Sequence, residues 1–249
     1  CAPGLPFSTL ILVSGMEETL RVNGKIASLE GDVATVAVEE CYLHCAKSFR
    51  RSEFWLPDAI AESGSDTPAF IEGARFLALA TVNSHGQADI SPKGDPEKLL
   101  VQQDGEAICF ADRPGNKRID SFRNIMEQPA VKMIALIPGC ADVLEVSGHA
   151  EIHSDESLSS RFTVQGKTPK LVTKVIPTSI QQRTSEAIGR AGLWPANSTP
   201  EGLVASEIFK AHVQKSKERG LQAKVARAAA SLPGAMEKGL ELDYKKNMY

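Results

Sequence analysis

Short apolar runs bounded by turn-forming residues recur along most of the chain. FLALATV at 76–82 suits a buried strand, and Asn83-Ser84-His85-Gly86 leads from it into QADISP, a hairpin pattern. EAICFAD (106–112), VKMIALI (131–137), DVLEVSGHAEIH (142–153) and KLVTKVIP (170–177) predict further strands. Nearer the start, STLILVSG, TLRVNGKIASLEG and DVATVAVEECYLHC read the same way, with Gly31-Asp32 as the turn between the last two. Helical spacing is scarcer. Ile119, Phe122 and Ile125/Met126 predict one apolar face on a short helix over 118–126, and residues 206–232 predict a helix interrupted at Gly220. Hairpin-linked strands with few helices and no βαβ alternation predict a mainly β fold, an antiparallel barrel with flanking helices.

An internal repeat organises these segments. LVSGMEETLRVNG (12–24) aligns without gaps to LIPGCADVLEVSG (136–148) at an offset of 124. Further along, Arg51 and Trp55 correspond to Arg190 and Trp194 at an offset of 139, so the second copy holds about 15 extra residues, placed at Asp155–Pro169. Residues 76–135 precede the repeated block in the second copy, whereas eleven residues precede it in the first. The division that follows is a back half of a first copy (1–58), a linker (59–69), a complete second copy (70–202) and a helical C-terminal tail (203–249).

Composition narrows the function classes. With 42% hydrophobic and 24% charged residues, the 249-residue chain has a globular composition, which sets aside disordered and collagen-like classes. A net charge of −3 gives no reason to expect nucleic acid as a partner, and no apolar run approaches the roughly 18 residues of a membrane span. Nine basic residues against five acidic ones over 203–249 read as a solvated helix face. Five cysteines form no regular framework, and the opening CAPGLPF lacks a signal peptide's basic and apolar regions, so a cytoplasmic protein with reduced thiols is expected. The missing initiator Met predicts a fragment, a processed form or a chain lacking its beginning.

Candidate chemistry lies in two loops and one strand end. Asp112-Arg113-Pro114-Gly115-Asn116-Lys117-Arg118 turns the chain into a helix; taken alone it reads first as a solvated loop with ordinary capping, and second as a phosphate seat where free N–H groups and basic side chains converge. Ser91-Pro92-Lys93-Gly94-Asp95 offers a hydroxyl and an ammonium at a strand end, or an ordinary turn. Cys41, His44 and Cys45 lack the paired spacing of structural zinc, so no metal is expected there. Arg50, Arg51 and Trp55 follow, as an anion seat with an aromatic platform or as a basic helix end. No strand–turn–helix elbow presents a nucleophile.

Together SPKGD (91–95), RPGNKR (113–118), ETLRVNG (18–24) and YLHCAKSFRRSEFW (42–55) resemble the pyridoxamine 5'-phosphate oxidase-like, FMN-binding split-barrel superfamily, over roughly residues 8–58 and 76–196. The resemblance implies a split β-barrel that pairs with a second barrel, with FMN in the cleft between them. Carried onto this chain, it implies front-half cofactor contacts from Ser91, Lys93, Asn116, Lys117 and Arg118, and back-half contacts from Arg21, Lys47, Arg50, Arg51, Ser52 and Trp55. The second copy departs from the pattern at its back, where Glu145 stands for Arg21, Arg183-Thr184 for His44-Cys45 and Glu186 for Lys47. A carboxylate in place of a cation suits an anionic ligand poorly. The expectation is therefore an intrachain pseudo-dimer with one composite flavin site, the alternative being a first barrel completed by a missing front half or by a homodimer. The implied activity is an FMN-dependent oxidoreductase acting on a small substrate, with NADH or NADPH as a possible electron donor. A non-catalytic flavin carrier or sensor and a degenerate interaction module are the alternatives. No catalytic residue is assigned; His44 is a candidate proton donor or a structural strand-end histidine, and the arginine-rich ending of a true vitamin B6 oxidase is not found in the sequence.

Overall fold

A computed structural model describes residues 2–56, 66–116, 118–215 and 234–249. The fold is mainly β. Strands β1 (Pro6–Ile11), β2 (Thr19–Glu30) and β3 (Val33–His44) form an antiparallel sheet in that order. Helix α1 (Lys47–Arg51) and, beyond the undescribed 57–65, helix α2 (Thr67–Gly73) follow. Asp66 caps α2 by accepting from the Ala69 amide, so the end of the expected linker is already helical.

The second sheet has seven strands: β4 (Phe76–Val82), β5 (Ala88–Gly94), β6 (Gln102–Asp104), β7 (Ala107–Ala111), β8 (Ala130–Leu136), β9 (Asp142–His153) and β10 (Val172–Thr184). Their order is β5-β4-β8-β9-β10-β7-β6, and every pairing is antiparallel. Helix α3 (Asp120–Glu127) bridges β7 and β8, α4 (Glu156–Ser159) lies between β9 and β10, and α5 (Glu186–Ala191) follows β10. Helices α6 (Ala205–Lys215) and α7 (Ala235–Lys246) lie in the tail. None of the described helices is long and apolar enough to cross a membrane.

One core fills the large sheet, with Phe70, Leu77, Leu79, Ile108, Phe110, Leu144 and Val175 among its fully buried members. A second core joins the two sheets. Phe49, Phe54 and Trp55 of the first pack against Phe76, Leu136, Val143 and Trp194 of the second, and Phe54 lies 4.8 Å from Phe76 and 5.1 Å from Trp194 between ring centroids. At about 1.5–3 kcal/mol for each fully buried large apolar side chain, this cluster is enough to fix one sheet on the other.

The two hairpins β2–β3 and β9–β10 share a register. Thr19 faces His44 and Val143 faces Arg183, which reproduces the sequence offsets of 124 and 139 residues. Each hairpin slips at the same place, where the ladder passes Glu39 in one and Thr178 in the other. The glycines opposite these slips, Gly24 and Gly148, have the same cause. A Cβ on either would lie 2.1 Å from the Ala37 carbonyl oxygen or 2.4 Å from that of Ile176, so any side chain would strike the bulged strand.

The helix expected over 118–126 begins at Asp120, and its buried face keeps only part of the apolar set, Ile125 with Phe122 half-buried. Ser121, Asn124 and Ile125 are buried, whereas Ile119 and Met126 are 65% and 81% exposed. The rest of the spacing misled because the sheet beneath offers polar partners: Asn124 donates to Thr81 Oγ1 (3.0 Å), and the Ser121 hydroxyl lies within hydrogen-bond distance of both Asp89 (3.1 Å) and Ser91 (2.8 Å). Of the helix expected over 206–232, residues 206–215 are described, within α6, and the rest, with Gly220, Leu221, Val225 and Leu232, lies outside the described residues; Ile208 and Phe209 are half-buried, and α7 lies beyond the expected range.

Candidate functional site

The loop after β5, the loop before α3 and the β3–α1 junction meet around a cavity of about 240 Å³. The first sheet and its helix contribute Arg21, His44, Cys45, Lys47, Ser48 and Arg51, and the second contributes Ser91, Lys93, Arg113, Asn116, Arg118 and Ser121. Among the described residues, six cationic side chains line it against the carboxylates of Asp95 and Asp112.

Gly94 sets how closely the halves meet. A Cβ there would lie 1.9 Å from the Ser48 carbonyl oxygen, so only glycine lets β5 and α1 come this near. Arg51 donates from Nε to the Gly94 carbonyl (2.8 Å) and from Nη1 to the Pro114 carbonyl (3.2 Å), tying α1 to both loops. Asp95 accepts from Arg113 Nε at 2.6 Å, and this fixes the orientation of the RPGN loop.

Arg21, 1% exposed, forms the floor. Its guanidinium pairs with Asp89 and reaches Ser91 Oγ at 3.4 Å, and the same Asp89 carboxylate accepts from Ser91 (3.0 Å) and Ser121 (3.1 Å). The Tyr42 ring lies between two guanidinium groups, 5.1 Å from Arg21 and 4.0 Å from Arg118. Burial pushes the Tyr42 hydroxyl up to about 12.

Several buried donors that line the cavity lack a hydrogen-bond partner: Arg21 Nε, Ser48 Oγ and Arg113 Nη2. Buried polar groups are seldom left unsatisfied, and together with the cationic excess they fit an oxygen-rich anion such as a phosphate. Burial also depresses the Lys93 ammonium below the usual lysine range, with Asp112 3.8 Å away as partial compensation. An arriving anion would favour its charged form.

The sequence-derived residues divide into groups. Arg21, Lys47, Arg51, Ser91, Lys93, Asn116 and Arg118 line the cavity, and Lys117 lies outside the described residues. Arg50, Ser52 and Trp55 are not brought to it. Arg50 pairs with Glu17 (2.6 Å), Ser52 Oγ donates to the Phe49 carbonyl (3.0 Å), and Trp55 Nε1 donates to the Met16 carbonyl (2.7 Å) within the inter-sheet core. Indole and helix-end groups are consumed there by packing. The pattern did not single out Asp89, Ser121 or Arg113 as a working set; a polar residue recurring at every second position of β5 (Asp89, Ser91, Lys93) was the available signal.

His44 faces the cavity as a neutral imidazole. Burial, then Arg21, push its pKa down to about 3 from 6.5. Below pH 6.5 the unfolded chain takes up a proton that the native state refuses until about 3, so the stability due to neutral His44 is complete above that window and lost as pH falls through it. The expected slope approaches about 1.4 kcal/mol per pH unit, and a His44→Asn variant should lack this component in urea unfolding from about pH 7 to about pH 4.

The family model for pyridoxamine 5'-phosphate oxidase matches residues 66–184. No curated protein matches the chain. Among solved structures, HupZ of Group A Streptococcus is 17% identical, with a TM-score of 0.39, covering 49% of this chain and 96% of its own. General Stress Protein 26 from Bacillus anthracis is 19% identical (TM-score 0.36; 46% and 88% covered). An F420 reductase is 25% identical (TM-score 0.36; 47% and 98% covered). Residues 66–184, a little under half of the chain, are thus similar to the pyridoxamine 5'-phosphate oxidase family, whose model spans strands β4 to β10 here.

Proposed function

We propose that the protein binds FMN in this cavity and is an FMN-dependent oxidoreductase of a small substrate, cytoplasmic, with the first sheet serving as the partial partner barrel of the second in a tandem pseudo-dimer. The observation that carries the reading is the convergence of cations and unsatisfied buried donors from both halves on one cavity. The shared hairpin register and the matched bulges support the tandem relationship. In the second copy, Glu145 accepts from Arg183 Nε (3.1 Å) where the first copy holds Arg21, which favours one site per chain over two.

Lys93, Arg118 and the RPGN backbone would hold the phosphate from one side, with Lys47, Ser48 and Arg51 facing them from the other. Bound FMN would supply two-electron redox chemistry, with NADH, NADPH or another small donor as its reductant. The chain's own part is to bind and orient the group and to surround it with fixed cations. A non-catalytic flavin carrier is the second reading, favoured by one observation: burial holds both His44 and the Cys45 thiol in their neutral forms. Steady-state oxidation of NADH or NADPH in the presence of FMN separates the two.

The direct test is the visible absorption spectrum after incubation with FMN and desalting. About one retained flavin per chain is expected; no retained flavin, or two per chain, would overturn the reading.

A further inference from the structure

The segment beyond Gly234 lies against the first-copy side of the cavity and uses its cations. Asp243 on α7 pairs with Lys47 Nζ at 2.7 Å, and the Met248 carbonyl accepts from Arg51 Nη1 at 2.9 Å. Tyr244 anchors the helix. Its hydroxyl donates to Glu18 (3.0 Å) and accepts from the Ala46 amide (3.1 Å), its ring stacks 4.3 Å under the Arg50 guanidinium, and the residue is 4% exposed. The Tyr249 ring lies 5.4 Å from the Arg113 guanidinium, and its carbonyl accepts from Lys167 (2.8 Å).

Lys47 is almost fully buried, whereas the Asp243 carboxylate is 44% exposed, so the departing strap takes only an exposed charge with it and the buried ammonium left behind requires the incoming anion as its new partner. A phosphate seated against Lys47 and Arg51 would meet a carboxylate and a carbonyl already there. Like charges in one seat repel, and one acceptor must give way. The cavity also falls short of the roughly 300 Å³ at the lower end of small-molecule pockets, so a whole mononucleotide needs its mouth to open.

We propose that residues 235–249 form an autoinhibitory strap whose Asp243 carboxylate and Met248 carbonyl engage the Lys47 and Arg51 side chains that line the cavity and compete for them with the phosphate of an incoming ligand. This rests on the reading of the cavity as an anion site, not on the ligand being FMN. If the strap is closed about nine-tenths of the time, releasing it tightens apparent affinity about tenfold.

Two variants of the full chain test the strap. Asp243→Asn removes the competing charge with little change of shape. Tyr244→Phe removes the anchor hydroxyl with no change of charge, so a gain there reads strap release and not a general shift in potential. Each is titrated with FMN and, separately, with inorganic pyrophosphate, and amide hydrogen exchange is followed over 237–247 with and without ligand. The proposal expects both variants to bind about tenfold tighter than the parent and the strap amides of the parent to exchange faster when either ligand is present. Unchanged or weaker binding by both variants, or strap amides that exchange more slowly with ligand, would overturn it. If pyrophosphate loosens the strap while FMN does not bind, the strap stands and the flavin reading falls.

Discussion

Gly94→Ala is expected to cost about 3 kcal/mol or more of folding stability, well beyond an ordinary glycine-to-alanine change within a strand. The atoms in its way are the carbonyl oxygen and carbon of Ser48, at 1.9 and 2.7 Å from the added methyl, and main-chain atoms cannot turn aside as a flexible side chain can. Relief requires α1 to move off β5. That would also pull Arg51 from the Gly94 carbonyl and separate the two walls of the cavity. Urea unfolding of the variant should show a lowered midpoint, and pyrophosphate binding should weaken with it. A midpoint within a few tenths of a molar of the parent would show that the halves are not held at this point.

Arg21→Met should be at least as costly, at about 3–5 kcal/mol, because it strands a buried carboxylate. Asp89 is 3% exposed, and without the guanidinium its remaining partners are the hydroxyls of Ser91 and Ser121. The cost belongs to the uncompensated charge and not to the worth of the pair, so Arg21→Met with Asp89→Leu should recover most of it. A double-mutant cycle by denaturant unfolding measures this directly. Simple additivity of the two single changes would contradict the pairing.

Much of this architecture is written in local patterns. The strands follow from apolar runs bounded by turns, and the hairpin offsets follow from aligning 12–24 with 136–148, since pairing register fixes which residues face each other. Six cavity residues beside Arg21 could be found because their motifs resemble a family. Their partners were less legible. Asp89 meets Arg21 across two strands of different sheets, and nothing in either local sequence announces a contact 68 residues apart. Helix α3 shows a partial failure: Ile125 of the apolar spacing enters the core, but Ile119 and Met126 face outward because Ser121 and Asn124 turn inward to Asp89 and Thr81. The strap was also beyond sequence reasoning: Lys47 carried a cofactor role implied by resemblance and the tail's charges read as a solvated helix face, and nothing in either predicted that the fold would set Lys47 and Asp243 2.7 Å apart. Trp55 and Ser52 carried the motif's weight without reaching the cavity, because the same run of residues also builds the core that joins the two sheets.

The central claim is that one flavin site is assembled from both halves of the chain. Its most direct test is an equilibrium FMN titration, followed by flavin fluorescence, of Lys47→Met and Lys93→Met, each made in an Asp243→Asn background so that the strap contributes equally to none. A charge-assisted contact to phosphate is worth about 1.5–3 kcal/mol, so each change should weaken FMN binding about 10- to 100-fold, with one site per chain throughout. Full affinity retained by Lys47→Met beside a loss in Lys93→Met, or a stoichiometry of two, would show that the first half contributes nothing to the site.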